Sequence, residues 1–311
     1  MNYPKFFDSK NSLNLLGLEE EFNFLSSLYI RKKLPKVLML TGAKGIGKST
    51  LINHFLFSIF DEKNYDKKNN LLSKSSDFYL NYKDNIFSNI IYINGSEFKT
   101  VKIDDIRVLK TKLFKSSILD KERFIVFDDI DLFNNNSLNA LLKIIEEPGD
   151  HNHFFLINNN TKELLETIKS RSLELKIILK ENKKLEIIHN LIEIHQVDKF
   201  LDPDVVKLTP GNFLKFNHIC KEYDILLTGE FIANLTKLLN LYKKHKDYIY
   251  IEIVYLVVDF YLRDLKIKKI RNNNKIYEIK DFIFYNLNNF LLYNINQSAL
   301  LNAINNKLNY E

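Results

Sequence analysis

The sequence predicts an α/β fold, a parallel sheet flanked by helices, followed by an all-helical remainder. Three observations predict it. Short apolar runs alternate with amphipathic segments as far as residue 178. The first of these runs leads into a glycine-rich loop that opens a helix. Beyond residue 178 the strand-like runs fade and helical periodicity continues alone. Strands joined through helices pair in parallel, and such a sheet is covered on both faces, so its strands read as unbroken apolar runs.

The elements follow in order. Residues 36–41 (KVLMLT) form an apolar run ending at a glycine, which predicts a buried strand, and residues 48–60 (KSTLINHFLFSIF) predict a helix. Residues 61–84 are rich in Lys, Asn and Ser without periodicity and predict a mobile surface insertion. Residues 89–93 (NIIYI), 123–127 (RFIVF) and 153–157 (HFFLI) predict three more strands. Between them lie two predicted helices. One spans 103–115 with Ile106, Leu109 and Leu113 on one face; the other spans 135–147 with Leu138, Leu141, Leu142 and Ile145 at core spacing. Residues 180–193 and 204–223 predict helices punctuated by Pro203 and the Pro210-Gly211 pair. From residue 230 onward the pattern is helical, broken at 271–275 by an Asn-rich turn. The expected domains are 1–178, 179–226 and 227–311.

At 311 residues the chain has room for two or three domains, and 45% hydrophobic against 27% charged residues provides a packed core. The single cysteine, Cys220, excludes an internal disulfide framework and a thiolate zinc cluster, and fits a reducing, cytoplasmic setting. Residues 1–13 lack the apolar stretch of a secretory signal. The most apolar run, 248–262, carries Glu252 and Asp259, which predicts a buried amphipathic helix rather than a membrane span. A formal net charge of +6 favours a polyanionic partner such as DNA.

Residues 42–49 (GAKGIGKS) fit the phosphate-loop pattern G-x-x-x-x-G-K-[ST]. Gly42, Gly45 and Gly47 let backbone N–H groups turn toward phosphate oxygens, Lys48 reaches the β and γ phosphates, and the Ser49 hydroxyl can ligate magnesium. Thr50 continues the helix, whose positive N-terminal end faces the anion. A strand before and a helix after satisfy the structural context of a P-loop NTPase. The run 124–129 (FIVFDD) ends in two carboxylates. Asp128 sits where P-loop proteins hold magnesium, directly or through water. Asp129 stands where hydrolysing members usually carry Glu, one methylene longer. A displacement of about 1 Å in such a step costs about a hundredfold, which predicts slow hydrolysis. Asp131 is expected to be solvated.

Residues 139–148 (NALLKIIEEP) resemble the signature of the clamp-loader family of extended AAA+ ATPases, and Ser170-Arg171-Ser172 resembles its S-R-C motif. The resemblance runs from about Leu15 to Lys215 and is nearest to the delta-prime branch. It implies a P-loop AAA+ sheet domain, a small helical lid and an all-α oligomerisation collar. It implies ATP with magnesium held by Ser49 and Asp128, a first sensor at Asn158 or Asn159, and Arg171 as an arginine finger reaching the ATP of a neighbouring subunit. Such fingers contribute about 10³ to 10⁵ in rate in GTPase systems. The implied partners are other clamp-loader subunits, the sliding clamp and primed DNA. Arg107 and Lys110, with Lys112 and Lys115 on the same helix, are candidate phosphate contacts independent of base sequence.

Two departures qualify the resemblance. Many delta-prime relatives, and the ATPase subunits, carry a four-cysteine zinc module near 61–84, and this chain has no cysteine there, so no zinc is expected. The motor subunits carry a second-sensor arginine where this chain reads 209–215 (TPGNFLK); Asn212 or Lys215 is the nearest substitute. The expected function is therefore a delta-prime-like subunit, a weak or vestigial ATPase that supplies its finger to a neighbour during ATP-dependent clamp loading. The alternatives are an active motor subunit and a scaffold that binds no nucleotide. A small-molecule kinase would need lid arginines and a second substrate pocket, for which the C-terminal half offers no cluster.

Overall fold

The computed structural model describes residues 3–95, 122–268 and 272–310. The helix expected over 103–115, with Arg107 and Lys110, lies outside the described residues. The chain divides into two compact units, Met1–Lys215 and Phe216–Glu311.

In the first unit, two short 3-10 turns precede α1 (Glu19–Ile30), β1 (Val37–Thr41) and α2 (Lys48–Phe60). A hairpin of β2 (Tyr65–Asp66) and β3 (Leu71–Leu72) follows, then α3 (Asp77–Lys83), β4 (Ile90–Asn94) and β5 (Arg123–Asp128). Next come α4 (Asn135–Ile145), β6 (Asn152–Asn158), α5 (Glu166–Lys169) and β7 (Leu173–Lys176). Helices α6 (Glu181–His195), α7 (Pro203–Val206) and α8 (Pro210–Glu222) end the series.

Five strands form one parallel sheet in the order β4-β5-β6-β1-β7. Alternation along each strand feeds two cores. Leu38, Leu40, Phe124, Val126, Phe155 and Ile157 face the layer of α1 and α2. Val37, Met39, Ile125, Phe127, Phe154 and Leu156 face the layer of α4 and α5. Burial on both faces is why these strands are apolar without interruption. Among the described residues the edge strand β7 pairs only with β1, and Leu173 is 53% exposed, so it lacks that signature and escapes a sequence reading. Helix α1 also escapes it, since only Phe22 and Leu25 of its residues are buried.

The insertion at 61–84 is a packed element, which corrects the expectation of a mobile surface segment. Tyr65, Leu72, Phe78, Tyr79 and Tyr82 are buried. The Phe78 ring sits 4.7 Å from both Phe57 and Phe87, in edge-on geometry. Burying such side chains contributes about 1.5–3 kcal/mol each toward ordering a polar-looking segment. The segment read as a helix over 204–223 is two helices, separated where Lys207 adopts φ 49°.

The second unit contains the end of α8 and four longer helices, α9 (Phe231–His245), α10 (Ile249–Ile267), α11 (Asn273–Tyr293) and α12 (Gln297–Tyr310). Its core includes Leu235, Leu238 and Leu239 from α9, Val254, Val257 and Val258 from α10, and Ile279, Ile283 and Leu287 from α11. Helix α10 is the amphipathic helix the sequence predicts, with Asp259 paired to Arg263 at 2.6 Å on its outer side. Cys220 is buried, and burial pushes its thiol up to about 12. Among the described residues no helix is long and apolar enough to cross a membrane.

Candidate functional site

The strand register aligns Thr41 with Asn158 and Lys176, and Asn94 with Asp128, so the carboxyl ends of all five strands share one edge. In open α/β sheets this edge is where ligands bind. The loop 42–47 leaves β1 there and enters α2, whose N-cap is Gly47 at φ 99°. Gly45 has φ 81°, a conformation that favours glycine, and a Cβ there would lie 2.8 Å from the Asn212 backbone nitrogen. Gly42 donates its N–H to the Asn158 carbonyl at 3.3 Å, tying the loop to β6.

Lys48 is 3% exposed and folds back on the loop, donating from Nζ to the carbonyls of Gly42 and Ala43, each at 2.8 Å. Burial pulls its ammonium down to about 8, against the opposing pull of Asp128, Asp129 and Asp131. Ser49 donates from Oγ to Asp128 Oδ2 at 2.7 Å. Tyr92, on β4, donates its phenol hydroxyl to the same oxygen. Burial, with Asp129 beside it, pushes the Asp128 carboxyl up to about 6 while these donors pull it down. Thr50 is half-buried in the first turn of α2.

Asp129 adopts a left-handed conformation at φ 52° and donates its N–H to Asp128 Oδ1 at 3.0 Å. Its own Oδ1 accepts from Asn159 Nδ2. Asn158 is buried, and its Oδ1 accepts from the Asn160 N–H at 2.9 Å, a turn-closing bond. Asn159 is thus the side chain of the pair that reaches the second acid. Asp131 is 4% exposed, which corrects the expectation of a solvated carboxylate. It accepts the N–H groups of Asn159 at 3.2 Å and Thr161 at 3.0 Å, and the Thr161 hydroxyl, so it pins the loop after β6.

The start of α8 lies on the phosphate loop. Gly211 donates its N–H to the Gly45 carbonyl at 2.8 Å, and Thr209 Oγ1 donates to the Lys44 carbonyl at 2.6 Å. Arg171 follows α5. Its guanidinium pairs with Glu146 at 2.9 Å and donates to the Thr167 carbonyl at 3.0 Å, with 38% of the side chain exposed. Glu146 belongs to the same motif helix end that carries Pro148.

A family model described as DNA polymerase III, delta subunit, matches residues 17–181, more than half of the chain. The chain belongs to this DNA polymerase III delta-subunit family. Family relatives include a DNA polymerase III subunit delta' of Buchnera aphidicola subsp. Schizaphis graminum, 30% identical over 40% of this chain and 43% of its own length. A subunit gamma of Buchnera aphidicola subsp. Acyrthosiphon pisum is 25% identical over 60% of this chain and 50% of its own. A subunit delta' of Buchnera aphidicola subsp. Baizongia pistaciae is 24% identical over 74% and 73%. The chain spans about half the length of the first two. Among solved structures, a DNA polymerase III gamma subunit-related protein of Thermotoga maritima is similar at 15% identity and TM-score 0.46, over 92% of this chain and 98% of that one.

The residues at the edge fit a magnesium-bound nucleotide. A hydroxyl and a carboxylate, 2.7 Å apart, are the hard oxygen donors that magnesium takes. Among the described residues no group of three or more His, Cys, Asp or Glu gathers as a metal cage, and magnesium, which completes its shell with water and phosphate, needs none. Tyr92, Asn159 and Thr209 are the contacts that sequence reasoning underrated. For Tyr92 a signal existed, a hydroxyl-bearing ring set among the isoleucines of its strand.

Proposed function

We propose that this family member is a delta-prime-type subunit of a DNA polymerase III clamp loader. It binds ATP with magnesium at the phosphate loop, hydrolyses it poorly, and lends Arg171 to the nucleotide of a neighbouring subunit while the sliding clamp is placed on primed DNA. The observation that carries the reading is the state of Arg171, half-exposed and held by an exposed carboxylate rather than by the acids of its own site. An exposed ion pair is worth ~0–1 kcal/mol, so the guanidinium is free to leave Glu146 for a triphosphate. The names of the delta' and gamma relatives support the setting.

Within the site the chain's own residues divide the work. Backbone N–H groups of the loop and the start of α2 receive phosphate oxygens. Lys48 exchanges its two carbonyl partners for phosphate oxygens, a trade of neutral for charge-assisted bonds. Asn159 fixes the Asp129 carboxylate, whose shorter reach leaves a water poorly placed. Bound magnesium would offset phosphate charge between Ser49 and Asp128. Assembly with the other loader subunits in the cytoplasm completes the reading.

Reconstitution with the other loader subunits tests it. Arg171→Ala is expected to suppress DNA-stimulated ATPase of the assembly by orders of magnitude, with Lys48→Ala doing much less. The reverse pattern favours a second reading, an active motor, for which the intact loop and the Ser49–Asp128 bond speak.

A further inference from the structure

The geometry points to Tyr92 as a positioning residue that shares an oxygen of Asp128 with Ser49, so that magnesium strengthens nucleotide binding to this chain less than it would if that carboxylate lacked the phenol. The inference rests on the nucleotide-binding reading above. Parallel register sets Tyr92 opposite Val126, one pleat before Asp128 on the same face, and the phenol reaches along the strand to that carboxylate. An ionised carboxylate has about four lone-pair sites. Asp128 Oδ2 already accepts from Ser49 and Tyr92, and Oδ1 accepts the Asp129 N–H at 3.0 Å. Three donors leave about one site for a water carried by the metal.

The tyrosine ring is also held from behind. Lys10 places its ammonium 5.1 Å from the ring centroids of both Tyr92 and Tyr82 and donates to Asn85 Oδ1 at 2.6 Å. A cation between two aromatic faces, bonded to a residue just past the insertion, fixes the direction of the phenol. The hydroxyl that satisfies Asp128 is therefore part of the folded framework, whereas the Ser49 hydroxyl can hold a metal through its oxygen and still donate its proton.

The test measures affinity of the full chain for a fluorescent ATP analogue, with EDTA and with magnesium in excess, and compares the ratio of the two dissociation constants. In the wild type magnesium is expected to tighten binding only a few-fold. Tyr92→Phe keeps the ring and removes only the donor, and should raise the ratio about tenfold, the scale of one hydrogen bond to a charged group. Lys10→Gln, which keeps the hydroxyl but releases the ring, should raise it less. A ratio unchanged or lowered in Tyr92→Phe, with wild-type binding intact, overturns this inference alone. Absence of binding in the wild type under both conditions overturns the nucleotide-binding reading together with it.

Discussion

Gly211 donates its backbone N–H to the carbonyl of Gly45 across 2.8 Å, and a Cβ added to Gly211 would lie 3.0 Å from that same oxygen. Two glycines, one in the phosphate loop and one in the first turn of α8, thus touch backbone to backbone. A Cβ on Gly45 would meet Thr209 Oγ1 at 2.7 Å, and its φ of 81° would be strained as well. Gly45→Ala is therefore expected to cost about 1–3 kcal/mol and more than Gly211→Ala. Urea unfolding of both variants measures it, and an equal or smaller loss for Gly45→Ala would remove the contact from the account.

The aromatic packing under the insertion gives a second prediction. Phe78 is buried against Phe57, Phe60, Tyr82 and Phe87. Phe78→Ala is expected to cost about 3–5 kcal/mol. Amide exchange at residues 65–83 should accelerate first, and a protected segment in the variant would show that the rings are not what orders it.

His54 supplies a pH dependence. Its Nε2 donates to the Ser12 carbonyl at 3.0 Å, which leaves Nδ1 as the acceptor facing the Tyr65 hydroxyl at 3.3 Å. Burial holds the ring neutral, pulling its pKa from 6.5 down to about 4. A depressed folded-state value means the unfolded chain binds the proton first as pH falls. The stabilisation is full above about pH 6.5 and is lost progressively as pH drops through about 4, roughly 3 kcal/mol in all. Unfolding at pH 7.5 and pH 4.5 should show His54→Gln losing about 2–3 kcal/mol less than wild type across that interval; equal losses would reject the assignment.

A fourth prediction separates Arg171's structural role from its proposed one. Its pair with Glu146 is exposed on both sides, at 38% and 45%. Glu146→Gln and Arg171→Ala should each shift stability by about 1 kcal/mol or less. A thermal melt of the isolated chain checks this. A large loss would mean that suppressed ATPase in the Arg171→Ala assembly reports misfolding instead of a missing charge.

The parts legible in sequence were those written by neighbours in the chain. Strands β1, β5 and β6 showed as apolar runs because both faces are buried, and the phosphate loop showed because its glycines and lysine are contiguous. The illegible parts are joined across distance. Tyr92 meets Asp128 over 36 residues and Thr209 meets Lys44 over 165, and neither pairing leaves a local pattern. Asp131 looked like a surface acid because nothing nearby in sequence announces Thr161 as its partner. The insertion looked loose because Lys and Asn outnumber its few rings, although those rings decide its packing.

An element stapled by rings has a different set of vulnerabilities from one stapled by thiolates. Chelators and peroxide dismantle a cysteine-held module through its thiolates; residues 61–84 carry no cysteine, and the chain's one sulfhydryl is buried in another helix. Heat and chaotropes are the agents that weaken contacts between buried rings, so the integrity of this segment answers to temperature and solvent.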